Sequence, residues 1–151
     1  MKTITLDTLL GIDYPVIVAP MFLISNTKMI KAALDAGVSA AFPALNYRTD
    51  KELRAAIQDI KTHSSKPFGV NLIVNKSNPT YKGQLETLLE LKVDYIITSL
   101  GSPQEVIERC KPLGIKVFCD VVDLKYAQKV EALGADAVIA VNNRAGGHAG
   151  N

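Results

Sequence analysis

The sequence predicts an α/β protein built on a parallel sheet, and three observations carry that expectation. Short apolar, β-branched runs recur along the chain, at Val16 to Ala19, Val38 to Phe42, Phe68 to Leu72, Val93 to Thr98, Lys116 to Cys119 and Ala135 to Val141. Runs this uniformly apolar fit strands covered on both faces, the usual condition of parallel strands. The segments between them repeat at helical period, with strand centres roughly 20 to 30 residues apart, the spacing of right-handed βαβ crossovers. Of the 151 residues, 48% are hydrophobic and 21% charged, a globular balance rather than a disordered one.

Each helix announces itself separately. After the first strand, Ile30, Ala33 and Leu34 share a face and Gly37 supplies the stop. After the second, Thr49 and Glu52 read as a capping box before Leu53, Ala56, Ile57 and Ile60. The third helix carries Leu85, Leu88 and Leu89. The fourth opens at Ser102-Pro103-Gln104-Glu105, a Ser cap with Pro at the first helical position and Glu three residues after the cap. The fifth carries Ala127 and Val130 and ends at Gly134.

Two architectures accommodate this alternation, an open doubly wound sheet and part of a (β/α)8 barrel. A closed barrel takes about 250 residues, so six strands and five helices in this length amount to about three quarters of one. No composition shift, linker or low-complexity segment divides the chain, which predicts a single α/β domain over residues 1–151.

Charge and cysteine usage narrow the function. Seventeen basic and fifteen acidic residues give a net charge of +2 without a basic block, so nucleic acid is not an expected partner. No apolar run approaches the roughly 20 residues that span a bilayer, and the first residues lack an apolar leader, so the chain is expected to be cytoplasmic with no membrane partner. Cys110 and Cys119 have neither CxxC spacing nor a histidine cluster beside them, so no disulfide and no metal site are expected. His63 reads as a solvated helix end.

In a parallel α/β fold the reactive groups lie just past the strands' C-terminal ends. Pro20-Met21-Phe22 comes after the first strand and Asn46-Tyr47-Arg48 after the second, where Arg48 either meets an anion or is simply solvated. Asn71 is a polar residue within the third strand, with Asn75 beyond it. Ser99 to Pro103 comes after the fourth, Asp120 after the fifth, and Gly146-Gly147-His148 after the sixth. Such a rim suits a flat aromatic cofactor: an Asn71 amide both donates and accepts, and glycines allow close backbone approach.

The ordered set Ala19-Pro20-Met21, Gly69-Val70-Asn71-Leu72, Ser99-Leu100-Gly101-Ser102-Pro103 and Gly134-Ala135-Asp136-Ala137 through Ala145-Gly146-Gly147-His148-Ala149-Gly150 resembles the nitronate monooxygenases, also called 2-nitropropane dioxygenases. The resemblance covers essentially the whole chain. It implies a (β/α)8 TIM-barrel type of fold, incomplete here, and an FMN-dependent enzyme that oxidises alkyl nitronates with O2. It implies that His148 is the catalytic residue and that Met21, Asn71, Gly146 and Gly147 bind the cofactor; Asp120, after the fifth strand, is a further cofactor-binding candidate or simply the neighbour of a helix cap. Val141, Asn142 and Arg144 depart from the family's usual polar or acidic residue and glycine before the histidine turn, which opens the question of substrate.

The strands and loops that would hold the FMN phosphate are not in these residues, so the chain is expected to be the N-terminal part of a longer polypeptide. An unpaired sheet edge would then offer a route to homo-oligomers. The rival readings are a flavin-dependent enoyl-acyl carrier protein reductase, which would require a nicotinamide, and a non-catalytic partial barrel.

Overall fold

The computed structural model describes residues 4–75 and 77–146. The chain forms two compact units, Met1–Asn71 and Leu72–Asn151.

The first unit contains α1 (Leu6–Leu10), β1 (Ile17–Val18), α2 (Thr27–Asp35), β2 (Ser39–Pro43), a 3-10 turn at Ala44–Asn46, α3 (Asp50–His63) and the start of β3 (Gly69–Ile73). Its strands pair in parallel and in chain order, Ile17 opposite Ser39 and Phe42 opposite Val70. α2 starts where the Asn26 side chain accepts the Met29 N–H, and it turns Ile30, Ala33 and Leu34 inward. The expected capping box of α3 is formed in full: Thr49 Oγ1 accepts the Glu52 N–H at 3.2 Å and Glu52 Oε2 accepts the Thr49 N–H at 3.0 Å. Leu53, Ile57 and Ile60 are fully packed on the inner face of α3, and β2 is buried along its length. Phe42 stacks on Phe68 with ring centroids 6.4 Å apart.

The second unit contains α4 (Tyr81–Glu90), β4 (Tyr95–Ser99), α5 (Gln104–Cys110) with a 3-10 turn at Lys111–Leu113, β5 (Lys116–Val121), α6 (Leu124–Ala132) and β6 (Ala137–Ala140). Its strands are again parallel and in chain order, Ile97 opposite Phe118 and Cys119 opposite Val138. Tyr95 and Phe118 stack at 4.9 Å in its core. Cys110 and Cys119 are both buried free thiols, and burial pushes Cys110 up to about 12. Along β6 alternate residues are exposed, Val138 to 46%.

All six expected strands are present within one or two residues of the apolar runs, the ordinary spread of element ends. Three local readings change. α1 is a single helical stretch that the sequence pattern does not announce; its end is fixed by Gly11 in the left-handed region. The Ser102 cap does not form, and α5 begins at Gln104 instead. The reason is that Glu105, the would-be partner in the box, is drawn away by the Tyr81 hydroxyl at 2.9 Å and by Lys82 Nζ at 2.5 Å. At α6 the cap is Asp123, which accepts the Tyr126 N–H at 2.7 Å. His63 is, as expected, the exposed last residue of α3, and it pairs with Asp35 at 2.9 Å.

Candidate functional site

In the first unit, the chain leaving β1 exposes four consecutive apolar side chains: Met21 at 37%, Phe22 at 61%, Leu23 at 71% and Ile24 at 57%. Contiguous apolar exposure of this kind marks a binding surface more often than an accident of packing. The loop is held in place by its backbone. The Met21 N–H donates to Ser25 Oγ at 2.9 Å, and that hydroxyl, fully buried, donates to the Ala19 carbonyl at 3.3 Å. From the end of β2, Asn46 Oδ1 accepts the Leu23 N–H and its Nδ2 donates to the Ser25 carbonyl, both at 2.8 Å. Leu23 adopts φ +59°, a left-handed conformation that costs a leucine roughly 1–2 kcal/mol and persists only where surrounding contacts enforce it.

Asn71 lies in β3 opposite Pro43. It is half-buried and alternates with the buried Val70 and Leu72, which puts its amide on the strand's other face. Arg48 stands exposed on the wall of an open groove of about 570 Å³ that also includes Tyr47, Glu52 and Asp59. The hydrogen bond from Lys31 holds Asp59 below the usual carboxylate range. Burial and then Asp59 push the Tyr47 phenol up.

In the second unit, the ends of β4 and β5 bring two polar side chains together. Ser99 Oγ donates to Asp120 Oδ2 at 2.5 Å. Asp120 is half-buried; burial pushes its carboxyl above the usual range, and the Ser99 hydrogen bond opposes that shift. One residue earlier on each strand, buried Thr98 and Cys119 meet at 3.3 Å, and burial raises that thiol as well. Leu100 then turns through φ +60° with its side chain 63% exposed. Gly101 packs against the Val74 carbonyl, and its own carbonyl accepts the Tyr126 hydroxyl at 2.5 Å. Beyond β6, Asn142 Oδ1 accepts the Arg144 N–H at 2.8 Å and shapes the turn that leads to Gly146. A Cβ on Gly146 would meet nothing within 4 Å, so that backbone is open to close approach.

In the first unit Met21 lies in the segment that follows β1 and Asn71 in the middle of β3; in the second, Asp120 lies near the C-terminal end of β5 and Gly146 in the segment that follows β6. Gly147 and His148 lie outside the described residues. Asp120 is a strand residue paired with Ser99, not the neighbour of a cap, since the cap is Asp123. Ser25, Asn46 as a loop brace and Tyr126 carry roles that the sequence pattern did not indicate. Their partners apart from the nearby Met21 and Ala19 lie 21 to 25 residues away, so no short motif encodes them. Among the described residues no group of three or more metal-binding side chains occurs, and no helix is long and apolar enough to cross a membrane.

The chain is similar to known proteins along most of its length. Residues 77–151 match the family model for nitronate monooxygenase. A protein of Rhodococcus jostii named as a 5-hydroxy-7a-methyl-1-oxo-octahydro-1H-indene-4-carboxyl-CoA dehydrogenase is 32% identical over 96% of this chain and 40% of its own length. The nitronate monooxygenase of Paraburkholderia phytofirmans is 27% identical over 94% of this chain and 49% of its own length. The solved structure of FabK from Thermotoga maritima superposes with a TM-score of 0.89 at 31% identity, over 97% of this chain and 46% of that one. The chain thus spans about half the length of the relatives it matches. Its fold is of the (β/α)8 TIM-barrel type with six βα strands present and the barrel incomplete.

Proposed function

We propose that this chain, which is similar to the N-terminal part of the nitronate monooxygenase family, forms one wall of an FMN-dependent oxidoreductase that oxidises alkyl nitronates with O2. The observation that carries the reading is the coincidence of that similarity with the candidate residues: Asn71 and Asp120 lie within strands, and Met21 and Gly146 in the segments that follow β1 and β6.

The residues present suit a flavin. The braced loop at Met21 offers an apolar wall to a flat ring, and the Asn71 amide can both donate to and accept from the ring's polar edge. Gly146, with open space where a Cβ would stand, and Gly147 after it let the backbone come close. Asp120 adds a carboxyl at the end of β5. Bound among these residues, FMN would supply the redox chemistry, an electron acceptor that oxygen can reoxidise. The chain's own task is to seat the ring, set the apolar side chains of Met21 and Phe22 against it, and handle protons. His148 is the acid–base residue in this reading, since an imidazole with an ordinary pKa of about 6.5 can take or give a proton near neutrality.

A second reading has an observation in its favour: Phe22, Leu23 and Ile24 are more exposed than Met21, and such a surface suits a long acyl chain better than a small nitroalkane. Relatives named as a CoA-thioester dehydrogenase and as FabK are 31–32% identical. That reading makes the protein an acyl-thioester oxidoreductase of the enoyl reductase kind, dependent on NAD(P)H.

One experiment separates the two. The purified chain is mixed with FMN, passed through a desalting column, and its visible spectrum recorded before oxygen uptake is followed with propane 2-nitronate. Retained flavin bands and oxygen uptake without a nicotinamide are expected. Flavin that is reduced only by NAD(P)H and reoxidised by a crotonyl thioester would favour the second reading, and a chain that retains no FMN would overturn both as properties of this polypeptide.

A further inference from the structure

Ser99 and Asp120 are neighbours on adjacent strands, at the same level, on the same face, and at the C-terminal strand ends where the candidate residues of this unit gather. The bond from Ser99 Oγ occupies Oδ2 alone. Among the described residues no lysine, arginine or histidine pairs with the Asp120 carboxylate, although it is half-buried. An ionised carboxylate so placed would be partly stripped of water and without a counter-charge, and it would repel an anion arriving at the strand ends. The protonated form reverses this, because a carboxylic acid offers an O–H donor from the oxygen that Ser99 leaves open.

We propose that Asp120 and Ser99 form a proton-dependent subsite for a planar oxyanion, with Asp120 donating from Oδ1 to an anionic oxygen of the ligand while Ser99 Oγ holds Oδ2. The proposal rests on the strand ends being the reaction site, as the nitronate reading has them, and adds what that site recognises. The chemistry balances without a further reactant. On binding, the proton stays on Asp120 and is shared with the ligand oxygen. If it passes to the ligand, the electron pair left on the carboxylate is stabilised by the Ser99 hydroxyl, which already points at it.

Among the described residues no neighbouring charge acts on the Asp120 carboxyl. Cys119 is on the same strand with its thiol toward Thr98, and Tyr126 from α6 donates to the Gly101 carbonyl. Asp123 is committed to the α6 cap, and Asp136 at the foot of β6 accepts the Val117 N–H at 2.8 Å. None of these offers a positive charge that would hold Asp120 ionised.

Nitrate is a suitable probe, being planar, anionic and without a titration of its own in the working range. The intact chain, with Asp residues carbon-13 labelled at the carboxyl, is titrated with sodium nitrate from pH 5 to pH 8 at constant ionic strength. The Asp120 resonance, assigned from its loss in Asp120→Asn, is followed in the same samples. It is expected to titrate above the ordinary aspartate range, with nitrate affinity falling at least tenfold as that proton is lost. Asp120→Asn, still a donor, is expected to bind nitrate equally at all pH values. Ser99→Ala is expected to move the carboxyl titration and the loss of nitrate upward together, and Ser99→Thr to restore both. Nitrate binding that is absent at pH 5, or whose pH dependence survives in Asp120→Asn, would overturn the proposal. Proton-linked nitrate binding in a chain that does not oxidise propane 2-nitronate would remove the nitronate reading and leave the subsite standing.

Discussion

The carbonyl oxygen of Val74 lies 2.5 Å from the point a Cβ on Gly101 would occupy, and the carbonyl carbon 2.9 Å from it. Both belong to backbone, which cannot rotate away as a side-chain tip can. The segment is fixed from two further directions, by the Val74 N–H donating to the Ser99 carbonyl at 3.0 Å and by Tyr126 on the Gly101 carbonyl. Gly101→Ala is therefore expected to destabilise the chain by about 2 kcal/mol or more, in the upper part of the range for overpacked sites. Gly83→Ala is the matched control. Gly83 lies within α4 with nothing within 4 Å of an added Cβ, so alanine should stabilise by about 0.5–1 kcal/mol. Urea unfolding of the two variants beside the parent reads both signs.

Asn46 is the brace of the exposed apolar loop, and its removal should be felt at a distance along the chain. Asn46→Ala leaves the Leu23 N–H and the Ser25 carbonyl without their partner, a loss of about 1–3 kcal/mol if water does not replace it. The strained Leu23 backbone also loses a contact that keeps it at φ +59°. Amide exchange at Leu23 is expected to accelerate by at least tenfold. Leu23→Gly in the Asn46→Ala background should recover part of the stability by relieving the left-handed strain, and no recovery would show that the strain is not borne at Leu23.

These two cases also show what the sequence encodes and what it leaves to the fold. The strands are legible because burial on both faces leaves an uninterrupted apolar run, and the Thr49 cap is legible because both of its bonds close within three residues. The Ser102 cap has the same local pattern and fails, because Tyr81 and Lys82 on another helix compete for Glu105. The candidate site residues divide in the same way. Met21 and Asp120 are legible from their places near the ends of apolar runs and Asn71 as the polar residue inside one, whereas the Asn46 brace, the Ser99 to Asp120 bond and the Tyr126 contact exist only once distant segments are adjacent.

Stability should carry a pH signature traceable to Asp120. Burial lifts its carboxyl in the folded chain, so between the ordinary aspartate range and the lifted value the folded state binds more proton than the unfolded state. Stability is therefore fuller at the acidic side of that window and falls as pH rises through it. Glu86, lowered by Arg109, and Glu105, lowered by Lys82 and then Tyr81, act in the opposite sense, giving stability above the ordinary glutamate range that is lost on acidification. The difference between parent and Asp120→Asn isolates the first effect: the variant should gain on the parent as pH rises. Urea midpoints from pH 4 to pH 8 measure it, and a difference that stays constant over that interval would mean Asp120 titrates alike in both states.

The catalytic reading of His148 has a test that separates chemistry from architecture. If the imidazole handles a proton while Met21, Asn71 and the glycine turn seat the flavin, His148→Ala should lose most nitronate turnover, on the order of 10²–10⁴-fold for a missing acid–base group, with FMN retention unchanged. Asn71→Ala should do the reverse, weakening FMN retention by removing a donor and an acceptor together, with a smaller effect on turnover once flavin is in excess. Parallel titration of both variants with FMN, followed by oxygen uptake at saturating flavin, reads the two effects independently. Loss of flavin in His148→Ala, with the urea midpoint lowered, would assign the histidine to the structure of the turn and leave the proton step without an owner.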